Sequence, residues 1–91
     1  MNDEVHHLLL YEYVPDMAQR REPVRPAHLE TLAAERESGN VPFAGAFDPP
    51  GGAAIVFKGV DREHVENFVE RDPYMQAGLI TSWRIERWLA R

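Results

Sequence analysis

The sequence predicts one α+β domain over residues 1–91, with element order βαββαβ and a four-stranded antiparallel sheet. Three observations lead to this. Ninety-one residues leave no material for a second hydrophobic core. Strand-like and helix-like patterns alternate twice, with an extra strand after the first unit. Finally, 44% hydrophobic and 10% aromatic residues supply a core and argue against disorder. A domain this small buries only roughly 60–65% of its unfolded surface and is marginal alone.

The first strand is expected over Val5 to Val14. Its run Leu8-Leu9-Leu10-Tyr11 is apolar in both registers, as a strand covered on both faces would be. Pro15 ends it, because proline cannot donate to a ladder. Residues 16–25 are polar and read as a connecting loop with room for one helical turn. A helix follows from Pro26 to about Ser38. Proline suits its first turn, Leu29, Leu32 and Ala33 form its inner stripe, and Glu30, Glu35 and Glu37 fall outside. Gly39-Asn40 provides the left-handed stop.

Val41 to Phe47 and Ala53 to Val60 read as two strands joined by the turn Asp48-Pro49-Pro50-Gly51-Gly52. The small residues Ala44-Gly45-Ala46 leave room on the first of them, where a glycine often marks close approach by a backbone or ligand. Asp61 is an N-cap for a second helix, Glu63 complements its positive end, and Val60 and Val65 are spaced as a hydrophobic staple. Val65, Phe68 and Val69 form its apolar stripe, and Asp72 occupies the next position of that stripe. A short helix from Pro73 to Gly78 precedes a last strand, Leu79 to about Leu89. This is the split βαβ, or ferredoxin-like, order. It leaves one sheet face without helices, and that face is apolar here, so a second copy of the chain is its expected cover.

Composition removes several functions. Fifteen acidic residues against ten basic, with Lys58 the single lysine, make nucleic acid a poor partner. The absence of cysteine excludes disulfides, thiol nucleophiles and thiolate metal sites. No apolar run approaches the roughly 20 residues of a membrane span. The opening Asn2-Asp3-Glu4 has the wrong charge for a signal peptide. A cytoplasmic protein with no membrane partner is expected.

Two residues stand out for chemistry. His28 lies in the first turn of the first helix, whose positive end disfavours imidazolium and keeps the ring available as a base. Spacing alone favours the plainer reading, a partly buried histidine bonded to a backbone carbonyl. Asp72 puts a carboxylate on an apolar stripe at a negative helix end, which demands a partner. Asp-Pro is also the pattern of an N-cap with proline at the first helical position, and the two roles are compatible. Arg25 could orient an anion or pair with a carboxylate; Tyr74 could donate its phenolic proton or pack its ring. His64 reads as a polar-face residue, and His6 and His7 point to opposite strand faces and cannot chelate one ion. No zinc-protease, calcium-loop, phosphate-loop or nucleophile-elbow pattern occurs, so neither a metal nor a cofactor is expected.

The segments His7-Leu8-Leu9-Leu10-Tyr11, Arg25-Pro26-Ala27-His28-Leu29, Ala44-Gly45-Ala46-Phe47, Asp72-Pro73-Tyr74, Ala77-Gly78-Leu79 and Trp83-Arg84-Ile85 with Trp88 resemble the YciI-like (YCII-related) family from residue 5 to 88. The resemblance implies a dimeric α+β barrel, close to muconolactone isomerases and small cofactor-free monooxygenases. It implies a histidine–aspartate pair in a pocket between sheet and helices, which maps onto His28 and Asp72. One branch of the family dehydrochlorinates hydroxylated aromatics. Residues 16–24 and the Pro49-Pro50-Gly51-Gly52 turn do not follow the family, so the pocket's shape is not implied. The expected function is therefore cofactor-free proton transfer of the lyase or isomerase type on a small organic molecule, with His28 and Asp72 catalytic and Arg25 and Tyr74 binding substrate. The alternative is a non-catalytic ligand-binding or dimerising accessory module, since fold alone does not decide function.

Overall fold

The computed structural model describes residues 4–91. Asn2 and Asp3, on which the signal-peptide expectation rests, lie outside the described residues. The elements are β1 (Glu4–Tyr13), α1 (Met17–Arg20), α2 (Arg25–Glu37), β2 (Phe43–Ala46), β3 (Gly52–Lys58), α3 (Arg62–Arg71), α4 (Pro73–Gln76) and β4 (Ile80–Ala90). The sheet order is β2-β3-β1-β4 with every neighbouring pair antiparallel, the expected ferredoxin-like α+β arrangement. Among the described residues no helix is long and apolar enough to cross a membrane.

Opposed residues of an antiparallel ladder share a face, so the register sorts the sheet into two sides. Leu9 opposes Ile55 and Ile85, and Tyr11 opposes Ala53 and Trp83. These lie under the helices, where Leu9, Tyr11, Ile55 and Phe57 are buried with Val65, Phe68 and Val69 of α3. Phe57 and Phe68 meet edge to face at 5.3 Å. The other side carries Leu8, Leu10, Val56, Phe43 and Trp88 with no helix over it. There Phe43 is 74% exposed and Trp88 46%.

The helix starts and stops follow their local chemistry. Asp61 caps α3 by accepting from the His64 N–H at 2.9 Å. Gly39 ends α2 with φ of 81°, and the Asn40 N–H closes back on the Glu35 carbonyl. Pro73 stops α3, because the residue before a proline is driven out of the helical region; Asp72 has φ −65° and ψ 120°. The loop after β1 contains one helical turn, α1, anchored by the fully buried Met17.

Helix α2 departs from its expected stripe. His28 and Glu35 are its buried residues, while Leu29 is 44% exposed and Ala33 lies outside. Leu29 and half-buried Leu32 wall a cavity rather than the core, which explains apolar side chains on a face that does not close. Glu35, expected outside, is drawn in by donors: Asn40 Nδ2 at 2.9 Å, His64 Nε2 at 2.9 Å and Arg71 Nη2 at 3.3 Å. Burial pushes its carboxyl upward, but the hydrogen bonds from Asn40 and His64, with the charge of His64 and the Arg71 bond, outweigh this and hold it below the usual range. His64 is thus a tie between α3 and α2, not a solvated polar-face residue.

Gly52 is the position where strand geometry tolerates no side chain. A Cβ there would collide with the Tyr11 carbonyl oxygen, and the Phe47 ring lies 3.3 Å away. Gly45, by contrast, has nothing within 4 Å of a Cβ. The Gly52→Ala variant is expected to lose about 1–3 kcal/mol in urea unfolding, while Gly45→Ala changes by less than about 0.5 kcal/mol.

Candidate active site

Asp72 is fully buried between α3 and α4. Its Oδ1 accepts the Tyr74 N–H at 2.9 Å, capping α4. The same oxygen lies 2.7 Å from His28 Nδ1. Its Oδ2 accepts the Tyr11 hydroxyl proton at 2.9 Å. A buried carboxylate is tolerated only when its lone pairs are met by donors, and here β1, α2 and α4 each supply one. The cap and the histidine partnership, alternatives in the sequence, coexist on one atom.

This arrangement also orders the histidine. A carboxylate only accepts hydrogen bonds, so the Nδ1 facing it carries the proton and donates. In the neutral ring the lone pair is then on Nε2, the nitrogen that Asp72 leaves free. The ring itself is held flat against Tyr74, with centroids 3.7 Å apart and planes within 6°. Tyr13 packs edge-on to Tyr74 at 5.9 Å. Burial raises the phenol of Tyr11 far above its ordinary value, and the negative Asp72 raises it further, so Tyr11 stays a donor. Burial likewise raises Tyr13, helped by Tyr74 and Asp72. Tyr74 is raised by burial against the opposing pull of Arg21 and Arg25.

His28, Tyr13 and Tyr74 open onto a cavity of about 220 Å³ between α2 and the sheet. Its walls are Leu29, Leu32 and Ile55, and its strand side is the small-residue run Ala44-Gly45-Ala46. The room expected at that run is therefore cavity. Sequence reasoning brought Arg25, His28, Asp72 and Tyr74 forward, and the structure brings all four together. Arg25 is exposed at the cavity, where its positive charge pulls against the upward shift of the Tyr74 phenol; Tyr74 packs on His28 and supplies its backbone N–H to Asp72. Their arrangement gives one ring nitrogen with a lone pair, one buried carboxylate behind it and a confined space in front.

Other residues of the site were not singled out from the sequence. Tyr11 was read only as part of an apolar run, although its alternation with Tyr13 puts both hydroxyls on one strand face. Arg21 and Arg36 also line the cavity. His6 packs against Trp88 at 5.8 Å on the open sheet face, and His7 has a buried Nδ1 without a hydrogen-bond partner among the described residues.

A family model described as the YCII-related domain matches residues 5–89. Among solved structures, the chain is similar to 5-chloro-2-hydroxyhydroquinone dehydrochlorinase (TftG) from Burkholderia phenoliruptrix AC1100, in complex with 2,5-dihydroxybenzoquinone. The TM-score is 0.79 and the identity 25%, covering 91% of this chain and 92% of that one. No curated protein matches the sequence.

Replacing Asp72 by alanine strips the acceptor from a buried imidazole N–H, a phenol and a helix-capping N–H. A loss of about 3 kcal/mol or more is expected in denaturant unfolding. Asp72→Asn keeps one acceptor oxygen and loses less.

Proposed function

Because the chain belongs to the YCII-related family, we propose that it is a cytoplasmic enzyme that moves a proton on a small organic molecule, with His28 as base and Asp72 as its positioning carboxylate. One observation carries this reading: a buried 2.7 Å contact between His28 Nδ1 and Asp72 Oδ1, with the histidine lining a cavity. Nε2 takes a proton from a hydroxyl or from a carbon beside a carbonyl, and Asp72 stabilises the imidazolium that forms. The electron pair left on the substrate then has two fates. It expels a leaving anion from the neighbouring carbon, which is an elimination, or it is quenched at another carbon by the same proton, which is an isomerisation. Similarity to a dehydrochlorinase solved with 2,5-dihydroxybenzoquinone favours a compound of one hydroxylated or carbonyl-bearing ring.

Arg25 and Tyr74 serve as substrate-binding groups in this reading, Arg25 from the rim and Tyr74 as the surface on which the imidazole is held flat. Proton transfer by a positioned side chain contributes about 10²–10⁴-fold. His28→Ala is accordingly expected to lower kcat by about that factor in a screen of hydroxylated quinones and hydroquinones, and Asp72→Asn by a smaller one. Retention of full turnover in His28→Ala would contradict the proposal. A variant that keeps ligand affinity in a chain with no turnover to lose would favour a binding module instead.

The chain's working form is, in the same proposal, a homodimer packed through the open sheet face. Leu8, Leu10, Val56, Phe43 and Trp88 lie on that face beside the Arg84–Glu86 ion pair, and apolar side chains left uncovered on a sheet mark an interface. Sedimentation at micromolar concentration is expected to give twice the monomer mass, and Phe43→Glu combined with Leu8→Glu to give monomers.

A further inference from the structure

The charge of the cavity is opposite to that of the protein. Fifteen acidic residues outnumber ten basic ones along the chain, yet Arg21, Arg25 and Arg36 line the cavity and no Asp or Glu does. Elsewhere five cations are paired with carboxylates: Arg20 with Asp16, Lys58 with Glu4, Arg62 with Glu66, Arg71 with Glu35 and Arg84 with Glu86. Among the described residues none of the three cavity arginines pairs with a carboxylate. In a chain rich in carboxylates, three guanidiniums left unmatched around one recess form a focused positive field.

Their positions divide the work. Arg25 precedes His28 by three residues and so stands on the same side of α2, and its positive charge acts on the Tyr74 phenol beside the imidazole. Arg21 acts on the same phenol from the turn before α2. Arg36 lies eleven residues beyond Arg25 in α2, about 16 Å along the axis, too far to grip the same group. Between the two ends stand the apolar side chains Leu29, Leu32 and Ile55. The cavity, about 220 Å³, is smaller than the roughly 300–1,000 Å³ typical of drug-sized ligands, and matches a single ring.

We propose that the cavity selects an organic anion: a planar, one-ring compound whose carboxylate or enolate oxygen is held by Arg21 and Arg25 while its reacting atom faces His28 Nε2. This rests on the cavity of His28 and Asp72 being the working site. The planar guanidinium fork matches a carboxylate or vicinal oxyanion through paired hydrogen bonds, which a lysine would not do. The same two arginines stabilise negative charge that builds on the substrate as the proton leaves, so they bind the transition state more strongly than the ground state. Arg36 makes the far end attractive to anions without touching that group.

Calorimetric or NMR titration at low salt with 2-hydroxybenzoate and its neutral counterpart 2-hydroxybenzamide tests the proposal. The wild type is expected to bind the anion at least about tenfold more tightly. In the double variant Arg21→Gln/Arg25→Gln that preference disappears while amide binding is unchanged, and Arg36→Gln reduces it less. Equal binding of the two probes by the wild type overturns the proposal. So does an anion preference that survives the double variant, or one that vanishes in His28→Ala. His28→Ala separates this inference from the catalytic reading: turnover lost there with no anion preference in the wild type leaves the base standing and removes the anion site. An arginine-dependent preference with turnover intact in His28→Ala does the reverse.

Discussion

Three hydrogen bonds converge on one buried carboxylate from three parts of the chain: the Tyr11 hydroxyl from β1, the His28 ring from α2 and the Tyr74 N–H from α4. Asp72 sits where α3 ends and α4 begins, so it is tied covalently to α3 as well as to α4. Leaving that carboxylate unpaired would cost several kcal/mol. The chain therefore folds with these donors in place or it leaves a buried charge unmet. Specification of the site and specification of the helix packing are the same event here. The imidazole has no freedom to turn: Asp72 fixes one edge and Tyr74, stacked at 3.7 Å, fixes its plane.

The cavity follows from how unevenly the two long helices pack. Helix α3 closes on the sheet with Val65, Phe68 and Val69, each 1% exposed or less. Helix α2 buries a histidine and a glutamate instead, both held by hydrogen bonds to other elements. Polar anchors at its two ends hold α2 in place while its middle, Leu29 and Leu32, stands away from the small residues of β2. A helix fixed by directional bonds leaves space that a helix fixed by close-packed side chains would fill. That space is where the free nitrogen of His28 has access to a ligand.

Most of the architecture was legible in the sequence because its signals are local. The Asp61 cap, the Gly39 stop, the Pro15 and Pro73 breaks and the strand runs each act within a few residues. Asp72 was legible too, since a carboxylate on an apolar stripe before a proline has few explanations. Glu35 was not: its position on the helix reads as outward, and the donors that draw it in, His64 and Arg71, lie far along the chain. Leu29 misled for the opposite reason, as periodicity shows which side chains are apolar but not whether they face a core or a cavity. The hydroxyl of Tyr11 was hidden inside an apolar run, because a tyrosine fills a strand position as well as a leucine does. Its role appears only when Asp72, 61 residues away, comes beneath it.

Electrostatically the site is layered, with a buried negative group behind the imidazole and unpaired guanidiniums in front. That ordering makes a base of the imidazole only if its proton sits on Nδ1, toward Asp72. The direct measurement is the ¹⁵N spectrum of the His28 ring at a pH where the ring is neutral. The account predicts a protonated Nδ1 and a bare Nε2, with the pattern lost or mixed in Asp72→Asn. A neutral ring protonated on Nε2 in the wild type would contradict it, because the nitrogen facing the cavity would then have no lone pair with which to take a proton.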